Sequence, residues 1–309
     1  MTDLAAQGTS ARPRPRTDVK ISRILFTVVR FTFLGLLILA VVFPLLWVSS
    51  TSLKSYAENQ VVPPTLFPES PTFRNYQLQL NLGNRSEGQE FGGGGISPLP
   101  QYILNGVIIS TATTVAVIVM ALMAGYSFSR FAIPGREATL MFFLASQMFP
   151  FIALIVSIYL MYRNLGLLNT YVGIVIAITG ILLPFAVWIM KGFCDSIEKE
   201  FDEAALMEGA GRLRILFTII APVLKPAIVA VGMFSFLGAW NHLFFVLIIG
   251  KEDRVRTVPL ALLMQMHNLR ENHGSLAASL IIVSVPIVVV YLALQRQFAE
   301  GLTAGSIKG

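Results

Sequence analysis

The chain has 309 residues, of which 55% are hydrophobic and only 13% charged, with a net charge of +6 at neutral pH. Soluble domains carry about a quarter charged residues, so this chain is too poor in charge to cover a water-facing surface; its apolar excess either faces lipid or would aggregate. The single cysteine, Cys194, excludes an internal disulfide and a cysteine-built metal centre, and His242, His267 and His273 are too scattered to form a metal site.

A membrane-spanning helix needs about 20 mostly apolar residues. Residues 1–30 do not qualify: they form a basic tail with Pro13, Pro15 and alternating arginines, read here as disordered and able to lie on anionic lipid. The first span is expected at 31–49. It has no small-residue cleavage site after it, so it reads as a retained helix and not as a signal peptide. A long external stretch, 51–101, follows. Its run Gly92-Gly93-Gly94-Gly95 favours a flexible loop, and Asn84-Arg85-Ser86 is a chance match to a glycosylation sequon. Five more spans are expected at 103–128, 140–160, 171–190, 223–249 and 276–294. Pro150, Pro184 and Pro286 lie within them, which membrane helices tolerate. A tail, 296–309, closes the chain.

The fold expected is therefore an all-α membrane protein with six transmembrane helices and a transmembrane domain over 31–295. Six crossings put both termini on one side. Arg12, Arg14, Arg16, Lys20, Arg23 and Arg30 precede the first span, and Lys191, Lys199, Arg212, Arg214 and Lys225 lie between the fourth and fifth. Basic residues favour the cytoplasmic side, so both termini are expected there.

All 17 acidic residues fall outside the six expected spans. Ion-coupled transporters keep ionisable groups inside the bilayer despite a cost of about 2.5–3.5 kcal/mol each. An ion-coupled secondary transporter is therefore disfavoured, and no filter-like loop supports a passive channel. Neutral polar residues do occur within spans: Gln147 in the third, and Trp240, Asn241 and His242 in the fifth. They either bond helices together or line a path for a polar, uncharged solute. Aromatic faces beside amide donors suit sugars.

The strongest local signal is the loop 191–225, expected on the cytoplasmic side. Asp195, Glu198, Glu200, Asp202 and Glu203 lead into helix formers. Phe201, Ala204, Ala205 and Leu206 recur at helical spacing, giving an amphipathic helix with one apolar and one acidic face. Gly209 and Gly211 end it, glycine permitting the positive φ of a sharp turn. Pro222 and Pro226 mark the return to the membrane. An acidic face is repelled by anionic lipid, so a protein partner with a basic groove fits better than the membrane surface.

Glu203-Ala204-Ala205, Gly209, Ile219 and Ala221-Pro222 resemble the EAA signature of binding-protein-dependent ABC importer permeases, with Ala221 where leucine is usual. Gly125-Tyr126-Ser127-Phe128-Ser129-Arg130-Phe131, Pro134-Gly135-Arg136, Leu165-Gly166-Leu167-Leu168-Asn169-Thr170, Leu183-Pro184-Phe185, Trp240-Asn241 and the tail 301–309 are similar to the maltose-type, sugar-importing branch. The resemblance covers nearly everything from Phe31 onward.

It implies a bacterial or archaeal inner-membrane subunit that pairs with a second, homologous permease. Two ATPase chains would dock from the cytoplasm and an external sugar-binding protein would deliver a di- or oligosaccharide such as maltose or trehalose. Glu203, Ala204, Ala205, Gly209 and Pro222 would form the coupling helix and its turn. Gly301, Leu302, Thr303 and Gly305 would reach the ATPases. The chain would bind no cofactor and no nucleic acid and would not be an enzyme, with ATP and magnesium held by the ATPases. The absence of a G-x-x-x-x-G-K-[ST] run in this chain agrees.

Overall fold

The computed structural model describes residues 16–82, 97–267 and 273–306, with side chains placed at 23, 25–82, 97–266 and 273–297. Among the described residues all regular structure is helical. The glycine run at 92–95, the sequon at Asn84 and the arginines at 12 and 14 lie outside them.

Among the described residues, four helices are long and apolar enough to cross a membrane. They are α1 (Arg16–Ser52), α4 (Leu99–Arg130), α7 (Tyr171–Asp195) and α14 (His273–Ser306). Each contains one of the spans expected from the sequence, but α1 begins at Arg16, so residues 16–30 are helical and not the disordered tail expected. The short helices α2 (Tyr56–Asn59) and α3 (Arg74–Gln79) lie between α1 and α4.

The third and fifth expected spans are not straight helices. The third is α5 (Arg136–Ser146) followed by a 3₁₀ turn (Phe151–Leu154) and α6 (Ile155–Asn164), the two arms meeting at 85°. Pro150 sits at the bend. It has no N–H for the carbonyl four residues back, and it disfavours a helical conformation at Phe149. In the fifth the bend falls at the start: Arg212–Val223, nearly all of it expected in the cytoplasmic loop 191–225, meets Lys225–Trp240 at 84°. That first arm comprises α9 (Arg212–Arg214), a π-helical turn (Ile215–Ile220) and α10 (Ala221–Val223); the second is α11. Pro226 can give no hydrogen bond to Pro222, which breaks the ladder there. The outer part of the expected span is a separate helix, α12 (Phe244–Ile249), followed by α13 (Val258–His267). Hydropathy thus located α5, α6 and α11, and the prolines set the bends, while the arm before Leu224 lies in what was expected as loop.

The core is built where α4, α7 and α11 pack. Ile109, Val117, Ile174, Ile178, Met190 and Val231 are fully buried there. Small residues let the backbones approach. A Cβ at Gly125 would lie 2.9 Å from the Lys191 nitrogen and 2.9 Å from the Met190 Cβ, so only glycine fits this crossing of α4 and α7. α1 differs from all of this. Its stretch Leu25–Leu46 is exposed on every side, and its chief neighbour in the chain is α14.

Candidate functional site

The sequence between α7 and α11 folds into α8 (Glu200–Met207) and a tight turn. The turn closes with Gly209 at φ +80°. The Gly209 amide donates to the Leu206 carbonyl at 2.9 Å and the Ala210 amide to the Ala205 carbonyl at 3.0 Å. These are the two bonds of a Schellman cap, which needs a left-handed residue at this position. Gly211 has φ −72° and contributes no such turn. Pro222 lies in α10, in the bent arm that leads back to the core.

Asp202 and Ala205 are buried beneath α8, while Glu200, Phe201, Glu203, Ala204 and Met207 face outward. This corrects the expected division into an apolar and an acidic face. The buried face carries the acid Asp202, and the open face carries Phe201 and Met207. The reason is a charged partner. Arg130, at the end of α4, pairs with Asp202 through Nε–Oδ2 at 2.8 Å, both side chains being 4% exposed. Arg130 Nη2 also donates to the Ile197 carbonyl at 2.9 Å, and the Tyr126 hydroxyl, one turn earlier on α4, donates to Asp202 Oδ1. Removing one partner of a buried, hydrogen-bonded ion pair of this kind costs about 3–5 kcal/mol. The outward face of α8 borders an open groove of about 420 Å³, edged by Glu198, Glu200 and Glu208 with Phe201, Ala204 and Ile219 between them. Its carboxylates suit a cationic partner, and its apolar floor suits an inserted side chain.

The opposite end of α4 holds the turn 251–256. The Tyr102 hydroxyl donates to Asp253 Oδ1 at 2.8 Å, and Asn105 Nδ2, fully buried, donates to the Arg256 carbonyl at 2.8 Å. The Tyr171 hydroxyl on α7 lies 2.7 Å from Asn105 Oδ1 and 3.0 Å from the Arg254 carbonyl. Asn169, in the loop before α7, has φ +57°. Its Oδ1 accepts from the Lys251 and Glu252 amides at 2.7 and 3.2 Å, and its Nδ2 donates to Glu252 Oε1 at 2.9 Å.

The four residues expected to line a solute path do not converge. Trp240 is 3% exposed, stacked on Phe236 at 5.9 Å, with its ring 3.1 Å from where a Cβ at Gly106 would stand. It is a packing residue between α4 and α11. Gln147 is exposed at the bend after α5 and donates to the Ile181 carbonyl at 2.9 Å. Asn241 is exposed and donates back to Leu237 at 2.9 Å. The His242 ring stacks on Phe245 at 4.9 Å and lies 6.1 Å from Phe151, which brings His242 beside the bend that carries Gln147. Gly301, Leu302, Thr303 and Gly305 lie in the final turns of α14, and their side chains are outside the described residues.

Sequence reasoning missed Tyr126, Arg130 and Asp202. The resemblance covers the stretch 125–131 but gives Arg130 no partner. A lone arginine and an acid separated by the whole of α5, α6 and α7 give no local signal of pairing.

A family model described as "Binding-protein-dependent transport system inner membrane component" matches residues 117–303. The chain is 34% identical over 212 residues to the trehalose/maltose transport system permease protein MalG of Thermococcus litoralis, covering 68% of this chain and 76% of that one. It is 29% identical over 273 residues to the diacetylchitobiose uptake system permease protein DasC of Streptomyces coelicolor, covering 88% and 94%. A solved chain from a bacterial ABC transporter involved in importing the acidic polysaccharide alginate has the same fold, with a TM-score of 0.72 at 21% identity, covering 93% of this chain and all of that one.

Proposed function

The chain belongs to the family of binding-protein-dependent transport system inner membrane components, and from that premise we propose that it is the membrane-spanning permease subunit of an ATP-driven importer of a di- or oligosaccharide. The names of its relatives, which cite trehalose, maltose and diacetylchitobiose, support a saccharide cargo. In this reading each bent pair of helices counts as one crossing, giving six, with both termini and α8 in the cytoplasm, as the distribution of basic residues favours.

The observation that carries the proposal is the construction of α8. Its inner face is fixed to α4 by a buried ion pair, and its outer face presents Glu203, Phe201 and an acidic groove to solvent. A helix held rigidly on one side and left open on the other is built to receive a partner. The partner is an ATPase subunit with a basic cleft, two copies of which bind and hydrolyse ATP with magnesium. A second, homologous permease completes the path through the membrane, and an external binding protein delivers the sugar. Gly301, Leu302, Thr303 and Gly305 extend α14 toward the ATPases. Gln147, at the bend after α5, His242, beside that bend, and Asn241, at the far end of α11, lie where a path between the permeases would pass. This chain contributes no catalytic group.

The test is purification from native membranes in mild detergent, followed by ATP hydrolysis with and without binding protein loaded with maltose, trehalose or diacetylchitobiose. Recovery of an ATPase and a second permease, with hydrolysis stimulated by one loaded binding protein, is expected. Recovery of this chain alone, with uptake driven by an ion gradient, would refute the proposal in favour of secondary transport.

A further inference from the structure

Among the described helices that run between the two polar ends of the bundle, α4 is distinguished by how it is held. It has 32 residues, and its only proline, Pro100, lies in the first turn, where proline costs no hydrogen bond. At one end Tyr126 and Arg130 hold Asp202 and, through Ile197, the approach to α8. At the other end Tyr102 and Asn105 hold Asp253 and Arg256 in the turn 251–256. About 32 Å of unbroken helix separates Asn105 from Tyr126. The routes through α5 and α6, and through α9 to α11, are interrupted by bends of 85° and 84°. α7 is continuous but carries Pro184 in its interior.

We propose that α4 is a strut that carries displacement of α8 to the turn 251–256, and that Tyr126, Arg130 and Asp202 at one end and Tyr102 and Asn105 at the other are its positioning residues. A straight helix clasped to a polar loop at each end moves both loops together, whereas a bent pair absorbs displacement at its bend. The clasps at either end are made largely by side chains on charged groups, which are stronger than neutral hydrogen bonds and directional. Arg130 acts by fixing the position of α8 and Asn105 by fixing that of Arg256; neither meets the sugar or ATP. The inference rests on the importer reading, since it assigns to α8 the contact with the ATPases and to the far turn the side on which sugar arrives.

Two clasps on one strut act in series. Breaking either uncouples the two ends, and breaking both does no more. The test uses the complete complex, with its ATPases, second permease and binding protein, in liposomes. The probe is radiolabelled maltose, trehalose or diacetylchitobiose, whichever the unmodified complex accumulates. Tyr126→Phe and Tyr102→Phe each remove one hydroxyl that donates to a carboxylate, and the double variant removes both. Sugar moved per ATP hydrolysed is measured beside the melting temperature of the complex. Each single variant is expected to lower sugar per ATP about tenfold, the scale of one hydrogen bond to a charged group. The double variant is expected to be no worse than the worse single, while the two melting shifts add, as they do for distant sites. Losses of coupling that multiply, or a loss in one single variant only, or in neither, would overturn the strut. Failure of the unmodified complex to take up any of these sugars with ATP would instead overturn the importer reading, and the strut with it.

Discussion

Asp202 and Glu203 are neighbours in sequence and point to different sides of α8: Asp202 is 3% exposed and paired with Arg130, whereas Glu203 is exposed. Consecutive helical residues are about 100° apart, and here that rotation separates an acid that fastens the helix from an acid that is free to meet a partner. Glu203→Lys is therefore expected to leave the melting temperature of the purified chain nearly unchanged, as surface substitutions do within about 0.5 kcal/mol. It should abolish co-purification of the ATPase. Normal ATPase recovery with this variant would remove Glu203 from the docking face.

Trp240→Ala should act on stability. The ring is stacked on Phe236 and lies against Gly106, so truncation opens a cavity at a cost of about 3–5 kcal/mol. A fall in melting temperature is expected, with Trp240→Phe intermediate. Asn241→Ala, at the exposed neighbour, should leave melting unaffected. Equal melting of Trp240→Ala and the unmodified chain would restore Trp240 as a candidate for the sugar path.

Gly125→Val places two methyl groups where even a Cβ is too close to Met190 and Lys191. Overpacking of this kind costs about 1–3 kcal/mol. The expected result is a lower melting temperature, partly recovered when Met190→Ala is added. Recovery tests the crossing of α4 on α7 directly.

Asn169→Ala removes three hydrogen bonds to residues 251 and 252 and leaves an alanine at φ +57°. A left-handed conformation costs a non-glycine residue about 1–2 kcal/mol. Asn169→Gly removes the same bonds without that strain, so it should be the more stable of the two. Amide hydrogen exchange at Lys251 and Glu252 should accelerate in both variants. Unchanged exchange would mean the turn is held without Asn169, by Tyr102, Asn105 and Tyr171.

Much of this fold was legible before any coordinates, because bilayer thickness imposes a length and composition that hydropathy detects. α1, α4, α7 and α14 follow from that rule. The bends did not: apolar composition runs on across Pro150 and carries no information on helix direction, and Arg212 and Arg214 made the arm before Leu224 read as cytoplasmic loop. The α8 turn was legible at Gly209, whose left-handed conformation glycine anticipates. The orientation of α8 was not, because a helical pattern assigns acids to water, and Asp202 escapes that rule only by meeting Arg130 across a long stretch of chain. Trp240 was misplaced for a related reason. An aromatic beside an amide reads as a binding surface until its neighbours, Gly106 and Phe236, are known.

The bare surface of α1 has a consequence for biosynthesis. Among the described helices α1 is made before all others, and its chief companion, α14, after them. Until α14 follows, the stretch Leu25–Leu46 must rest in the bilayer without its chief neighbour, secured by its own internal hydrogen bonds and a coat rich in Leu, Val and Phe. Its insertion thus does not wait on α14. A ribosome stalled anywhere before α14 would leave a product already anchored by its first helix, with the α14-facing flank open to quality-control proteases or to a neighbouring membrane protein.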